Sequence, residues 1–526
     1  MVVPAAVRSL PLALASALFV ATAPAVADDE DAPRVDAVAL ARNLRPDAAS
    51  RADALVRFYQ ARDYRPAWTK GDHLSRSGAA ALRVLRAADR EGLASGGYAP
   101  PALESKDAAG DTAAGEMDLR LSDSLLRYVT DVTAGRLDPA GVNPYWAQRT
   151  PPVDGAAVLR AVAESKDPAR ALEALLPGSP QYAALREALG RYRAIAERGG
   201  WAPLKPARLP LRPGQRGPAA AALRARLMAE GDLRGSVPGG AKAEIFDDAL
   251  AVAVKRFQVR HGLEPTGAVE RQTLLALNVP VEDRIATLEL NLERWRWLWA
   301  SIQDADRFVL VNIPAFELYG FDHGRPALRM RVVTGHAARS PTPVFGREMT
   351  HVVFRPYWNV PTSIAEDEIL PAVYRDRGYL RRRNMELLRG DGGVQLRQRP
   401  GPGNALGLVK FLLPNPFGVY LHDTPEGALF ARARRDRSHG CVRVERPFDL
   451  ARFALAGAPE WTPARIQAAA ARGPEQPVAL AEPLPVFITY LTAWADADLG
   501  TRFFPDVYEH DAAQQGSLIR ASNAGD

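Results

Sequence analysis

Apolar residues recur at three- and four-residue spacing through the first third of the chain, in Ala54-Leu55-Val56 with Phe58-Tyr59, in Leu125-Leu126 with Tyr128-Val129, and in Tyr182-Ala183-Ala184-Leu185. That period predicts amphipathic helices over about 38–200. Breakers at Gly96-Gly97, Pro100-Pro101, Pro151-Pro152 and Gly178 separate them. Nothing in this region pairs a nucleophile with a base, so it reads as a helical scaffold, domain 28–205. A Pro-rich stretch from Pro203 to Pro213 follows as a linker. Helical periodicity resumes from Gly217 to Glu230, Phe246 to Val259 and Val269 to Leu277. These three short helices can bury one small core around Phe257, Leu263, Leu274 and Leu277, in a unit spanning 206–280.

From Phe308 the pattern changes to strands. Phe308–Ile313, Leu328–Val333, His351–Phe354 and Gly418–His422 are β-branched or aromatic runs. Together they predict a predominantly β domain over 285–511. Between the last two lies an insertion, 361–408, long enough to serve as a lid over a cleft. Residues 512–526 read as a flexible tail. The fold class is therefore multidomain α+β.

The N-terminus carries Arg8, an apolar run from Leu10 to Val20, Ala25-Val26-Ala27 and then acidic residues. This is a signal-peptide pattern over 1–27, with an uncleaved membrane anchor as the alternative. The expected location is the periplasm, with membrane contact only through that segment. There are 67 Lys+Arg against 61 Asp+Glu, a formal charge of +6. Nucleic acid is not expected as a partner at that balance without a recognition motif. Arg381-Arg382-Arg383 and the cluster Arg432, Arg434, Arg435, Arg437 are either solvated faces or attractors of an anionic polymer.

The chain has one cysteine, Cys441. A disulfide within the chain and a multi-cysteine metal framework are thereby excluded. Cys441 is either a small buried filler or is kept for its chemistry. Its setting is Ser438-His439-Gly440-Cys441-Val442-Arg443-Val444. Gly440 permits a sharp turn that brings backbone amides toward a bound carbonyl. In a following strand Arg443 shares a face with Cys441, where a cation favours thiolate or holds a substrate carboxylate. A base is still needed. His422 ends a strand and shares its face with Tyr420; His439, in the turn itself, is the rival, and His422 is favoured. No H-E-x-x-H or tight His/Asp cluster suggests a metal.

His422 followed by Ser438, Gly440, Cys441 and Arg443 matches the signature of the YkuD-type L,D-transpeptidases, which the sequence resembles. The resemblance is closest to the large YcbB-like class with a capping insertion. It extends to Phe58-Tyr59, Pro66-Ala67-Trp68, Gly135–Pro139, Asn291–Arg296, Tyr357–Pro361, Pro400–Gly407 and Tyr490–Trp494. Val254–Gln258, Gly262-Leu263, Thr266-Gly267 and Thr273-Leu274 resemble the peptidoglycan-binding domain family. The resemblance implies a cysteine acyltransferase that forms 3–3 crosslinks between peptidoglycan stem peptides, with peptidoglycan synthases as further partners and no cofactor; the alternatives are an L,D-carboxypeptidase or wall-protein attachment or detachment enzyme using the same thioester, and a non-catalytic wall-binding scaffold. Cys441 would be the nucleophile, His422 the base, Gly440 an oxyanion amide, Tyr420 a further oxyanion donor and Arg443 the electrostatic residue. Trp358, Asn404, Ser438 and His439 would contact substrate, although Trp358 reads equally well as core. A backbone carbonyl near Asp423 would fix the imidazole tautomer.

Overall fold

The structure, a computed structural model, describes residues 35, 49–71, 73–99, 111–143, 146, 152–235, 239–390 and 393–525. The signal segment expected at 1–27 lies outside them. Among the described residues no helix is long and apolar enough to cross a membrane.

The helical region is built around α1 (Ala49–Gln60), α2 (Arg76–Arg86), α3 (Asp111–Ala134), α4 (Gly155–Glu164) and α5 (Pro180–Glu197). Ser75, Asp154 and Ser179 cap α2, α4 and α5 by accepting from first-turn amides. Phe58, Tyr59 and Trp68 are fully buried. Asp118 of α3 is buried among them, and its carboxylate is fully used. It accepts from the Tyr59 hydroxyl at 2.6 Å and from the Trp68 and Thr69 amides at 2.6 and 2.8 Å. Ser122, one turn on, accepts from the Trp68 indole at 2.7 Å. This is why a carboxylate is tolerated there: each lone pair meets a donor.

The small central unit comprises α6 (Pro218–Ala229), α7 (Asp248–Arg260) and α8 (Arg271–Leu277) around Phe246, Leu250, Val254 and Phe257. It is fastened to the β domain: the Glu264 carboxylate accepts from the Ala433 amide at 2.7 Å, and Arg260 donates to the Thr501 carbonyl.

The long helix α9 (Val281–Ile302) joins all parts. Glu293, Arg294, Trp295, Arg296 and Trp297 are all buried on it. Arg296 pairs with Glu293 at 2.9 Å, and Arg294 reaches Asp511 at 2.8 Å and Gln514 at 2.9 Å.

The strands are β1 (Arg307–Asn312), β2 (Glu317–Asp322), β3 (Arg325–Gly335), β4 (Phe345–Phe354), β5 (Trp358–Asn359), β6 (Met385–Gly390), β7 (Gly393–Gln398), β8 (Val409–Leu412), β9 (Leu421–His422), β10 (Asp436–Ser438), β11 (Val442–Val444) and β12 (Gln476–Thr489). Nine of them form one sheet in the order β10-β3-β11-β9-β8-β4-β12-β1-β2. β2 also pairs with β3, which closes the sheet on itself. The insertion has its own small sheet, β5-β7-β6, and its own core of Val360, Ile369 and Leu396. It is a folded cap, not a loop.

The tail expected at 512–526 is instead helical. A helix, α10, spans Asp511–Gly525, with Gln514 and Leu518 buried. Its sequence is small and polar without an apolar stripe, which is why it reads as frayed. Polar contacts from Gln514 and Asp511 to Arg294 hold it down.

Candidate active site

The reactive residues lie on three adjacent strands. Val409–Leu412 and Leu421–His422 are antiparallel, with Lys410 opposite His422. β9 and β11 are parallel, with His422 opposite Arg443. Lys410, His422 and Arg443 therefore form a row on one face, neighbouring strands being about 4.8 Å apart. The Val442 amide donates to the Tyr420 carbonyl at 3.1 Å, which sets Cys441 across from Tyr420.

The turn before β11 is held from beneath. Gly440 has φ +106°, a conformation open to glycine. Its carbonyl accepts from the Thr342 hydroxyl at 2.8 Å, and the same hydroxyl accepts from the Gly335 amide at 2.8 Å. A Cβ on Gly335 would lie 3.0 Å from the Gly440 Cα, so that strand end must also be glycine.

His422 is buried. Its Nδ1 is 2.5 Å from the Asp423 carbonyl. A carbonyl only accepts, so Nδ1 carries the proton and, in the neutral ring, Nε2 holds the lone pair. Burial, reinforced by the Arg443 charge, pushes the imidazole down to about 3. The ring is neutral throughout the physiological range.

Cys441 is half-buried, and its thiol lies 3.9 Å from the Gly418 carbonyl. Burial pushes its pKa up, opposed by hydrogen bonds from the Tyr420 backbone and hydroxyl and by the Lys410 and Arg443 charges. Arg443 acts in the expected direction, toward thiolate, but burial outweighs it. Arg443 is ion-paired with Glu426, so much of its charge is already answered.

Tyr420 and His422 have ring centroids 5.6 Å apart. The Tyr420 hydroxyl lies near Cys441 and the Trp358 indole, and burial is the main reason its pKa is raised. Trp358, on the cap's edge strand, thus reaches the site while also packing on the cap core.

Four expected roles change. The Gly440 amide donates to the Ser438 hydroxyl at 3.2 Å and is not free for an oxyanion. Ser438 points into the turn, donating to the Cys441 carbonyl at 2.5 Å, so it shapes the turn rather than facing substrate. Asn404 is buried, donating to the Pro356 and Arg399 carbonyls at 3.1 and 3.0 Å and accepting from the Leu406 amide at 2.8 Å. It braces the cap's exit and, with Arg382, Arg383 and Gly401, lines a pocket on the cap. His439 turns toward the cap, its Nε2 2.6 Å from Glu368. In the basic clusters, Arg435 is buried on the Val332 and Phe316 carbonyls, and Arg434 pairs with Asp436. Those two are structural.

Asp423 links base and cap. Its carboxylate accepts from the Leu408 amide at 2.8 Å, and a Cβ on Gly407 would fall 2.3 Å from its Cγ.

Sequence reasoning missed Lys410, whose Nζ sits 4.0 Å from the Tyr420 ring centroid. Its one signal is a lysine inside the apolar run Val409–Leu413. Among the described residues no group of three or more His, Cys, Asp or Glu is placed to hold a metal.

Comparison with known proteins places these features in context. Residues 306–466 match the L,D-transpeptidase catalytic domain family, YkuD. Residues 216–277 match a family described as "Putative peptidoglycan binding domain", and 53–189 a scaffold domain family. A Haemophilus influenzae protein named "Putative L,D-transpeptidase" is 33% identical over 241 residues, covering 43% of this chain and 48% of that protein. The chain thus spans about half the length of that curated relative. An L,D-transpeptidase structure from Xylanimonas cellulosilytica is 16% identical over 54% of this chain and 99% of its own, with TM-score 0.17. One from Stackebrandtia nassauensis is 14% identical over 53% and 97%, with TM-score 0.22.

Proposed function

The chain carries a YkuD L,D-transpeptidase catalytic domain beside a peptidoglycan-binding domain, and from that premise we propose that it forms 3–3 crosslinks between stem peptides through a thioester on Cys441. The observation that carries this reading is the Cys441 turn set across from Tyr420 and His422, with Nδ1 committed to the Asp423 carbonyl.

Both partners start neutral. His422 Nε2 takes the thiol proton as sulfur attacks the carbonyl of the L-centre of the third stem residue. Collapse of the tetrahedral adduct breaks the peptide bond, and the imidazolium returns the proton to the departing D-alanine amine. An amine on a second stem then attacks the thioester, gives its proton to Nε2 and releases the thiol. The Cys441 amide, which has no protein acceptor among the described residues, and the Tyr420 hydroxyl would serve the oxyanion. Arg443 contributes charge at the thiol. The cap, with its own core, favours transpeptidation over hydrolysis because a thioester open to water is lost to it. The periplasm, after export by the N-terminal segment, is the compartment this substrate requires. Synthases that supply the strands are the natural partners.

Purified protein with tetrapeptide muropeptides, read by mass spectrometry, tests the reading. Crosslinked dimers are expected from wild type and none from Cys441→Ala. Dimers that persist in the variant overturn the nucleophile; tripeptides without dimers make the enzyme an L,D-carboxypeptidase.

A further inference from the structure

Of the two cations in the strand row, Arg443 pairs with Glu426 and Lys410 has no ion pair among the described residues. Among the described residues its ammonium has no hydrogen bond or ion pair, only the face of Tyr420 at 4.0 Å. A largely buried ammonium without a counter-charge is costly, and such groups persist where an anion forms beside them. The groups around it leave few candidates. β9 contributes Tyr420, neutral His422 and, beyond it, Asp423, whose carboxylate is spent on the Leu408 and Thr424 amides. β11 and its turn contribute Cys441 and Arg443, the latter paired with Glu426. β4 places Val353 opposite Lys410, with His351 two residues along. Glu475, ahead of β12, is engaged by the Tyr357 amide at 2.8 Å. Glu475 keeps its charge, but of the two negative influences on Lys410 the sulfur of Cys441 is the larger and the one at the reacting atom.

We propose that Lys410 is a positioning cation for the Cys441 thiolate, acting across the Tyr420 ring to keep a buried thiol ionisable. A cation on the ring face also draws density from the phenol and strengthens its hydroxyl as a donor to sulfur. Burial lowers the Lys410 pKa, and negative charge at Cys441, then at Glu475, raises it. The inference rests on Cys441 being the nucleophile.

The test uses the full chain and its single cysteine, so alkylation by iodoacetamide, followed by intact mass, reports Cys441 alone. In Lys410→Met the midpoint of the pH–rate profile should rise by about one unit, slowing alkylation near neutral pH about tenfold. Lys410→Arg should keep the wild-type midpoint. Lys410→Gln carries the same expectation as Met should the Met variant not fold. A neutral variant that melts like wild type and keeps the wild-type midpoint overturns the proposal. So does an arginine variant that shifts as the neutral ones do. The readout needs no turnover, so it stands apart from whether the products are dimers or tripeptides.

Discussion

Glu368 of the cap lies 2.6 Å from Nε2 of His439, two residues ahead of Cys441. The side chain that sequence offered as a rival base is a strut between the cap and the nucleophile's turn. Both partners are about half exposed, so the pair is worth at most about 1 kcal/mol. Glu368→Gln should therefore leave the melting temperature nearly unchanged. Hydrogen exchange should nonetheless quicken in residues 362–375, because this contact is where the first cap helices meet the turn. Unchanged exchange there would show that the strut bears no load.

Acid should destabilise the protein through its buried histidines. His422 and His510 are pushed down to about 3 and about 4, in both cases chiefly by burial, and His261 is lowered for the same reason. Between those values and the unfolded value of about 6.5, the unfolded chain binds protons that the folded chain refuses. Their contribution is complete above about pH 6.5 and is lost as pH falls below it. Each fully shifted histidine accounts for at most about 1.4 kcal/mol per pH unit. Denaturant unfolding from pH 7 to 5 should show this decline, and His422→Asn should flatten it. An equal slope in that variant would place the uptake elsewhere.

In the scaffold, Asp118→Ala should cost about 3 kcal/mol or more, since it strands the Ala67, Trp68 and Thr69 amides without their acceptor. The melting temperature should fall while Cys441 alkylation per folded molecule stays as in wild type. A loss of alkylation in folded protein would mean that the scaffold reaches the site.

The parts legible in sequence were those encoded locally. The Cys441 turn, the strand pair ending in His422 and the α7 helix each declare themselves within a few residues, through a glycine, a β-branched run or a 3.6-residue period. The tautomer anchor near Asp423 is implied by the family resemblance, and the structure places it on the next residue after the base. What escaped depends on register between distant segments. Lys410 faces His422 only because β8 and β9 pair as they do. The Gly440 amide was expected at the oxyanion, but Ser438 folds back to take it. Asn404 reads as a polar cleft residue because nothing local reveals that its partners include the Pro356 carbonyl, 48 positions earlier.

Gly407 and Asp423 set a limit on how this chain can vary. The cap's exit is pressed against the carboxylate of the residue whose own carbonyl holds the base, with no room for a side chain. One residue added or removed between Asn404 and Leu408 would shift that clamp and turn the imidazole with it. At the other end of the insertion, Gly390 stands opposite Gly393 where β6 and β7 end. Length variation in this insertion belongs away from its exit, which must keep count.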